Sequence, residues 1–150
     1  MSILVTGVPT PAGTLAVLIT PEDGVVWATG YGPARPLLAA LPTALADRKP
    51  RPGPGPQALR DAFHLFAEGE LKALDAVILA DRAAEPFTQA VWNALRAVPA
   101  GSVRTFAELA TDAGRPGAVQ EAVAACLSNP FPVLVPTHRA VADDGTVGAY

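Results

Sequence analysis

Short segments rich in Val, Ile, Leu and Thr open the chain, at residues 3–8, 14–20 and 24–31. Clusters of Pro, Gly, Glu and Asp at residues 9–13 and 21–24 separate them, and such clusters mark turns. Three strands joined by short turns predict a small antiparallel sheet.

Helical spacing appears next. Residues 33–46, rich in Ala and Leu, predict a helix, and Leu59, Phe63 and Phe66 share one face of a helix over residues 57–67 that stops near Gly69. Between them, proline recurs at alternate positions in residues 49–56, which predicts an exposed extended loop rather than helix or sheet. Residues 74–80 predict one more short strand, and residues 81–85 a link.

The second half of the chain predicts three helices in quick succession. Apolar residues at positions 87, 91, 95 and 98 share the face of a helix that ends at residues 99–101. Thr105 and Glu108 have the spacing of a capping box, and the helix they begin ends near Gly114. Residues 118–128 form the third helix, so the last two make a helix-turn-helix pattern. Residues 143–146 suggest a closing hairpin, the wing of a winged helix.

The predicted fold class is therefore α+β. An N-terminal α/β domain (residues 1–82), with a small antiparallel sheet and helices, precedes a C-terminal winged helix-turn-helix domain (residues 83–150).

Composition narrows the functional classes. The 150 residues are half apolar, contain a single cysteine, Cys126, and show neither a signal-peptide pattern nor an apolar run long enough for a membrane span. We expect a cytoplasmic protein with no disulfide, no metal site and no cofactor. The net charge is −3, and from residue 86 onward four Arg face five acidic residues, which predicts weak non-specific binding to nucleic acid.

The run Pro136-Thr137-His138-Arg139 carries the most specific signal. It follows Asn129-Pro130 and an apolar segment, and Gly148-Ala149-Tyr150 lies downstream. This region resembles the active site of the O-6-alkylguanine-DNA alkyltransferases, whose hallmark is Asn-Pro followed by Pro-Cys-His-Arg. Residues 87–92 and 98–101 resemble the first helix and turn of the family's C-terminal half. In the resemblance, Thr137 matches the alkyl-accepting cysteine, so the chain looks like an alkyltransferase-like member without that cysteine.

The resemblance implies an alkyl pocket lined by Pro136, Thr137, Val147, Gly148 and Tyr150. A threonine hydroxyl stays protonated at neutral pH and is a poor nucleophile without a dedicated base, so we expect Thr137 not to accept alkyl groups. The family histidine works in a relay that ends in a later glutamate, which this chain lacks, so His138 is expected to orient rather than act as a base. Thr137 and His138 thus form a degenerate site, and the chain is expected not to be an enzyme.

The resemblance also implies that the helix-turn-helix enters the minor groove and flips the alkylated guanine out of the stack. The implied DNA-binding residues are Phe106, Gln120, Ala122, Ala125, Asn129 and Arg139. Gln120 matches the arginine that fills the gap left in the duplex, and a one-residue slip puts Glu121 there.

Several of these residues have a structural alternative. Phe106 matches a tyrosine, with core packing as the alternative. Asn129 is expected to bridge backbone groups, Arg139 to donate a structural hydrogen bond, and Cys126 to be buried and inert.

Three functions remain open. The first is a non-enzymatic, monomeric DNA-repair protein that binds O-6-alkylguanine in double-stranded DNA and flags it for an excision-repair protein. The second is a degenerate scaffold that serves as a protein-interaction module. The third is a residual methylated-DNA–protein-cysteine methyltransferase acting through Thr137 or Cys126.

Overall fold

Turns at Gly13 and Gly24 divide the first thirty residues into three strands, β1 (Ser2–Thr10), β2 (Gly13–Thr20) and β3 (Val25–Tyr31). They are seen in a computed structural model, which describes residues 2–45, 47–70, 72–82 and 84–142. β2 pairs antiparallel with both neighbours, with Val17 opposite Thr6 on one side and Thr29 on the other. The predicted antiparallel sheet is confirmed.

Two short parallel strands extend this sheet at its edges, in the order β4-β1-β2-β3-β5. β5 is Ile78–Leu79 and follows a 3-10 turn over Ala73–Ala76, so the strand predicted over residues 74–80 forms only in part. β4 is Lys49–Pro52, so the expectation that prolines keep residues 49–56 out of the sheet is wrong for residues 49–52, whereas residues 53–56 form neither helix nor strand. An edge strand tolerates proline because only one of its sides must supply N–H groups.

The helices of the first half differ in how well the apolar pattern located them. α1 (Arg35–Ala39) is much shorter than the predicted 33–46, and a 3-10 turn over Thr43–Leu45 follows. Pro42 accounts for the early end, because proline has no N–H and its ring clashes with the carbonyl four residues earlier. α2 (Gln57–Ala67) has the predicted bounds and buries Leu59, Ala62 and Phe63.

The chain divides into two compact units, Met1–Arg82 and Ala83–Tyr150. The second contains α3 (Pro86–Arg96), α4 (Phe106–Asp112) and α5 (Val119–Leu127), which pack against one another. A parallel two-stranded ladder joins β6 (Arg104–Thr105) to β7 (Ala140–Val141). The four apolar residues predicted to share one face are all buried, at positions 87, 91, 95 and 98.

The fold is thus α+β, as predicted. The hairpin predicted at residues 143–146 lies outside the described residues. Within the described ranges, no helix has the length and apolar character to cross a membrane, and no three His, Cys, Asp or Glu side chains group as metal ligands would.

Candidate nucleic-acid interface

A capping box fixes the start of α4. The Thr105 hydroxyl accepts a hydrogen bond from the Glu108 N–H at 3.0 Å, and the Glu108 carboxylate accepts one from the Thr105 N–H at 3.0 Å. These bonds satisfy N–H groups that a helix start leaves free, and they confirm the predicted cap. They also lower the pKa of Glu108 below its usual value.

Arg104 lies beside this cap, and its guanidinium forms ion pairs with two carboxylates. Its guanidinium donates to Glu108 at 2.8 Å and forms a two-pronged contact with Asp112 at 2.8 to 3.2 Å. The Asp112 carboxylate raises the pKa of Arg104. One guanidinium and two carboxylates leave a net charge of −1, so Arg104 is a poor partner for a phosphate while these contacts persist.

One face of α5 is packed into the unit. Ala122 and Ala125 are 0% and 2% exposed, and the indole N–H of Trp92 on α3 donates to the Ala125 carbonyl at 2.8 Å. Both alanines were expected to contact DNA, and the structure places them in the core instead. Small side chains let the helices approach closely, which explains alanine at these positions. Phe106, 5% exposed, also packs in the core, in agreement with the alternative considered for it.

The opposite face of α5 is open to solvent. It carries Gln120, Glu121, Ala124, Leu127 and Ser128. Leu127 is 60% exposed and adds an apolar side chain to this face. Of the candidate DNA-binding residues on α5, only Gln120 lies on this open face.

The turn between α4 and α5 is held by glycines and by one arginine. Gly114 and Gly117 have φ values of 92° and 87°, a left-handed conformation that other residues adopt at a cost. Between them, the Arg115 guanidinium sits 4.8 Å from the centre of the Phe87 ring on α3. This cation–π contact ties the turn to the first helix of the unit.

Asn129 joins the end of α5 to the segment that follows. Its side-chain amide donates to the Val135 carbonyl at 2.9 Å, while its side-chain oxygen accepts from the Phe131 N–H at 2.8 Å. The Phe131 ring meets Trp92 edge to face, with centroids 6.4 Å apart. The predicted bridging role of Asn129 is confirmed, and its side chain faces the protein backbone rather than a ligand.

Val133 is the one strained residue described in this loop. Its φ is 75°, which is costly for a β-branched side chain, of order 1–3 kcal/mol. The Asn129 bridge and the Val135 N–H bond to the Phe131 carbonyl, at 2.8 Å, hold the loop in that conformation. Sequence reasoning did not find Val133, because valine carries no signal for a left-handed backbone.

The run of residues 136–139 forms a tight turn. Pro136 is buried, Thr137 is half-buried at the start of a 3-10 turn, and His138 is exposed. Partial desolvation and the Arg139 charge lower the pKa of His138. The Arg139 guanidinium donates to the Val98 carbonyl at 2.6 Å, the structural role expected as an alternative to DNA contact. Three predicted pocket residues, Val147, Gly148 and Tyr150, lie outside the described residues.

Cys126 lies on the packed side of α5. It is 6% exposed, and burial raises the pKa of its thiol to about 11. The structure thus agrees with the expectation that Cys126 is buried. Its raised pKa makes the reactive thiolate scarce at neutral pH, so the thiol is expected to be inert.

Comparison with known proteins decides the family. A family model described as the DNA binding domain of 6-O-methylguanine DNA methyltransferase matches residues 86–150. The methylated-DNA–protein-cysteine methyltransferase of Methanothermobacter thermautotrophicus is 30% identical over 132 residues, which cover 86% of this chain and 71% of that protein. The chain belongs to the methylated-DNA–protein-cysteine methyltransferase family. A Salmonella typhimurium relative of the same name is 38% identical over 95 residues, and this match spans only 55% of its length.

Solved structures of the family share the fold. The Mycobacterium tuberculosis O6-methylguanine methyltransferase superposes with a TM-score of 0.74 at 26% identity, over 99% of this chain and 84% of that one. The Mycobacterium tuberculosis OGT in complex with DNA gives a TM-score of 0.69 at 25% identity, over 98% and 83%.

The family membership corrects one prediction. The chain was expected not to be an enzyme, and its relatives from Salmonella typhimurium and Methanothermobacter thermautotrophicus are named as methyltransferases, so that expectation is wrong by this comparison. The match of Thr137 to the alkyl-accepting position stays a prediction.

Proposed function

We propose that this family member is a DNA-repair protein that binds duplex DNA containing O-6-alkylguanine through α5. The open face of α5 is the observation that carries the proposal. It lies within the residues matched to the family's DNA-binding domain, and its buried side is anchored through Ala122 and Ala125. A helix fixed on one side and free on the other is suited to lie in a groove.

The proposed binding mode places α5 in the minor groove, which is about 6 Å wide. Ala124, in the middle of the open face, lets the helix approach closely. The alkylated guanine leaves the stack at a cost of a few kcal/mol, lowest where pairing is already weak. The Gln120 amide then hydrogen-bonds to the base left without a partner, because an amide offers both a donor and an acceptor.

The flipped guanine is proposed to lie against the turn of residues 136–139. Thr137 is half-buried there, and its hydroxyl is able to donate or accept one hydrogen bond at the pocket wall. The Asn129 bridge and the bond from Arg139 to the Val98 carbonyl support this turn, so its shape does not depend on DNA for its stability.

The test is fluorescence anisotropy at low salt, with two duplexes that differ only in guanine or O-6-methylguanine. We expect tighter binding to the alkylated duplex. Gln120→Arg should strengthen binding to both duplexes, because a cation is added beside the phosphates. Gln57→Arg is the matched control, since Gln57 is also an exposed glutamine in the first turn of a helix. Equal effects of both changes would show that α5 does not enter the groove.

One observation favours a second candidate, a protein-interaction module. The open face of α5 bears the acidic Glu121 and the exposed Leu127, and it has no Lys or Arg. A face that is acidic and partly apolar fits a protein partner without any phosphate repulsion. The same titration separates the two functions, because a module of this kind would bind neither duplex.

A further inference from the structure

The carboxylate of Glu121 is the least expected group on the open face of α5. It is exposed in the first turn of the helix, and the described part of the chain gives it no hydrogen-bond partner. A carboxylate in the first turn interacts favourably with the helix dipole, but it also repels the phosphates of any duplex that α5 approaches. If α5 binds DNA, a favourable contact of Glu121 must offset this repulsion.

The chemistry of the minor groove offers one such contact. A·T pairs present only the acceptors adenine N3 and thymine O2, whereas a G·C pair adds one donor, the 2-amino group of guanine. An ionised carboxylate only accepts hydrogen bonds. The guanine amino group is therefore the only base edge in this groove that Glu121 can bind favourably.

In the proposed binding mode, the geometry of α5 brings Glu121 toward the base-pair edges. Successive residues turn by 100° along a helix, so Gln120 and Glu121 flank the small side chain of Ala124. Ala124 allows the helix to sit deep, and a glutamate side chain on the flank then reaches the floor of the groove. Ser128, on the same flank, instead donates to the Ala125 carbonyl at 3.1 Å.

We infer that Glu121 is a specificity-determining residue that accepts a hydrogen bond from the 2-amino group of a guanine next to the lesion. This inference rests on the proposed binding of α5 in the minor groove. It assigns a preference for a G·C pair as the neighbour of O-6-alkylguanine. In this inference, Glu121 recognises a base edge and does not merely repel the phosphates.

The experiment uses the full chain and two sets of four duplexes, one set for each side of the lesion, and each duplex has one O-6-methylguanine and one of four neighbouring pairs. The pairs are G·C, inosine·C, A·T and 2,6-diaminopurine·T, so the 2-amino group is deleted from one pair and added to the other. Each neighbour is placed on either side of the lesion in turn. We expect the two duplexes with the amino group to bind about fivefold more tightly on one side, as one charge-assisted hydrogen bond gives after desolvation.

Three variants separate recognition from simple repulsion. Glu121→Ala should abolish the preference while overall affinity stays the same or rises, and Glu121→Gln, which keeps a carbonyl acceptor, should retain a smaller preference. Glu85→Gln removes an exposed charge just before α3 and should leave the preference intact. A wild-type protein that binds the four duplexes of each set equally, or a preference that survives in Glu121→Ala, would overturn the inference and leave the proposed function standing. Failure to bind any duplex would instead refute the proposed function.

Discussion

The Asn129 bridge allows a direct test of what holds the loop after α5 in place. Asn129→Ala removes the donor to the Val135 carbonyl and the acceptor for the Phe131 N–H in one step. The side chain is half-buried and the Phe131 ring is 2% exposed, so water replaces these partners only in part.

The expected loss of stability follows from the two bonds. Each hydrogen bond contributes about 1 kcal/mol net, and leaving the desolvated Phe131 N–H without an acceptor adds to the loss. The free energy of unfolding of the C-terminal unit should therefore fall by about 2 kcal/mol. In urea, this corresponds to a midpoint lower by about 1 M.

Trp92 provides the probe, because its ring contacts Phe131 within the same unit. The chain has two tryptophans, so a Trp27→Phe background makes the fluorescence specific to Trp92. Urea unfolding of this background, with and without Asn129→Ala, measures the difference at the C-terminal unit.

Asn129→Asp is the matched variant. It keeps the acceptor for the Phe131 N–H but points a carboxylate oxygen at the Val135 carbonyl, so it should destabilise the unit at pH 7. Stability should recover in part as the pH falls and the carboxyl becomes protonated, because a protonated carboxyl again donates a hydrogen bond. A loss below about 0.5 kcal/mol for Asn129→Ala, or an aspartate variant as stable as the parent at pH 7, would refute the bridging argument.

Two further predictions concern groups near α4 and α5. Thr105→Ala should cost about 1 kcal/mol in urea unfolding through loss of the cap, whereas Thr111→Ala, on the exposed side of the same helix, should cost less. Since the cap lowers the pKa of Glu108, its contribution is complete above pH 4.5 and is lost as the pH falls through that lowered pKa. The stability lost through Glu108 between pH 7 and pH 3 should be largely the same in Thr105→Ala and in the parent, because both keep the backbone N–H that the carboxylate binds. Iodoacetamide should modify Cys126 slowly at pH 8, and the rate measured by intact mass should rise about tenfold at pH 9, because its thiol pKa is about 11. A fast, pH-independent reaction would show that the thiol is not buried in solution.

The parts of the fold that sequence located well are those with strong local contrast. Residues 57–67 alternate apolar and polar side chains at helical spacing and stop before Gly69, whose φ is 103°, so the bounds of α2 follow from the pattern. The cap at Thr105 and Glu108 is equally local. The predictions for residues 33–46 and 49–52 were wrong for the opposite reason. Pro42 ended the predicted helix early, and pairing with the distant strand β1 outweighed the local pattern of residues 49–52.

The candidate site was predictable only where a side chain has one evident use. Asn129 bridges backbone groups as asparagine commonly does beside a turn. The burial of Ala122 and Ala125 was not evident, because an alanine-rich helix shows little contrast between its faces. The hydrogen bond from Trp92 to the Ala125 carbonyl joins residues of two helices that are 33 positions apart in the chain, and no local pattern predicts such a contact.

The charges of the C-terminal unit suggest where DNA affinity comes from. Arg104 is held by two carboxylates, Arg139 by a backbone carbonyl and Arg115 by the Phe87 ring. Arg104 would have to leave its two carboxylates before neutralising a phosphate, whereas Arg139 and Arg115 keep their charge and further N–H donors. In the proposed binding mode, the open face of α5 adds contacts within the groove to the charge of these arginines. In this mode, the preference for one duplex over another depends on the few side chains that reach the base edges, because phosphate contacts carry no sequence information.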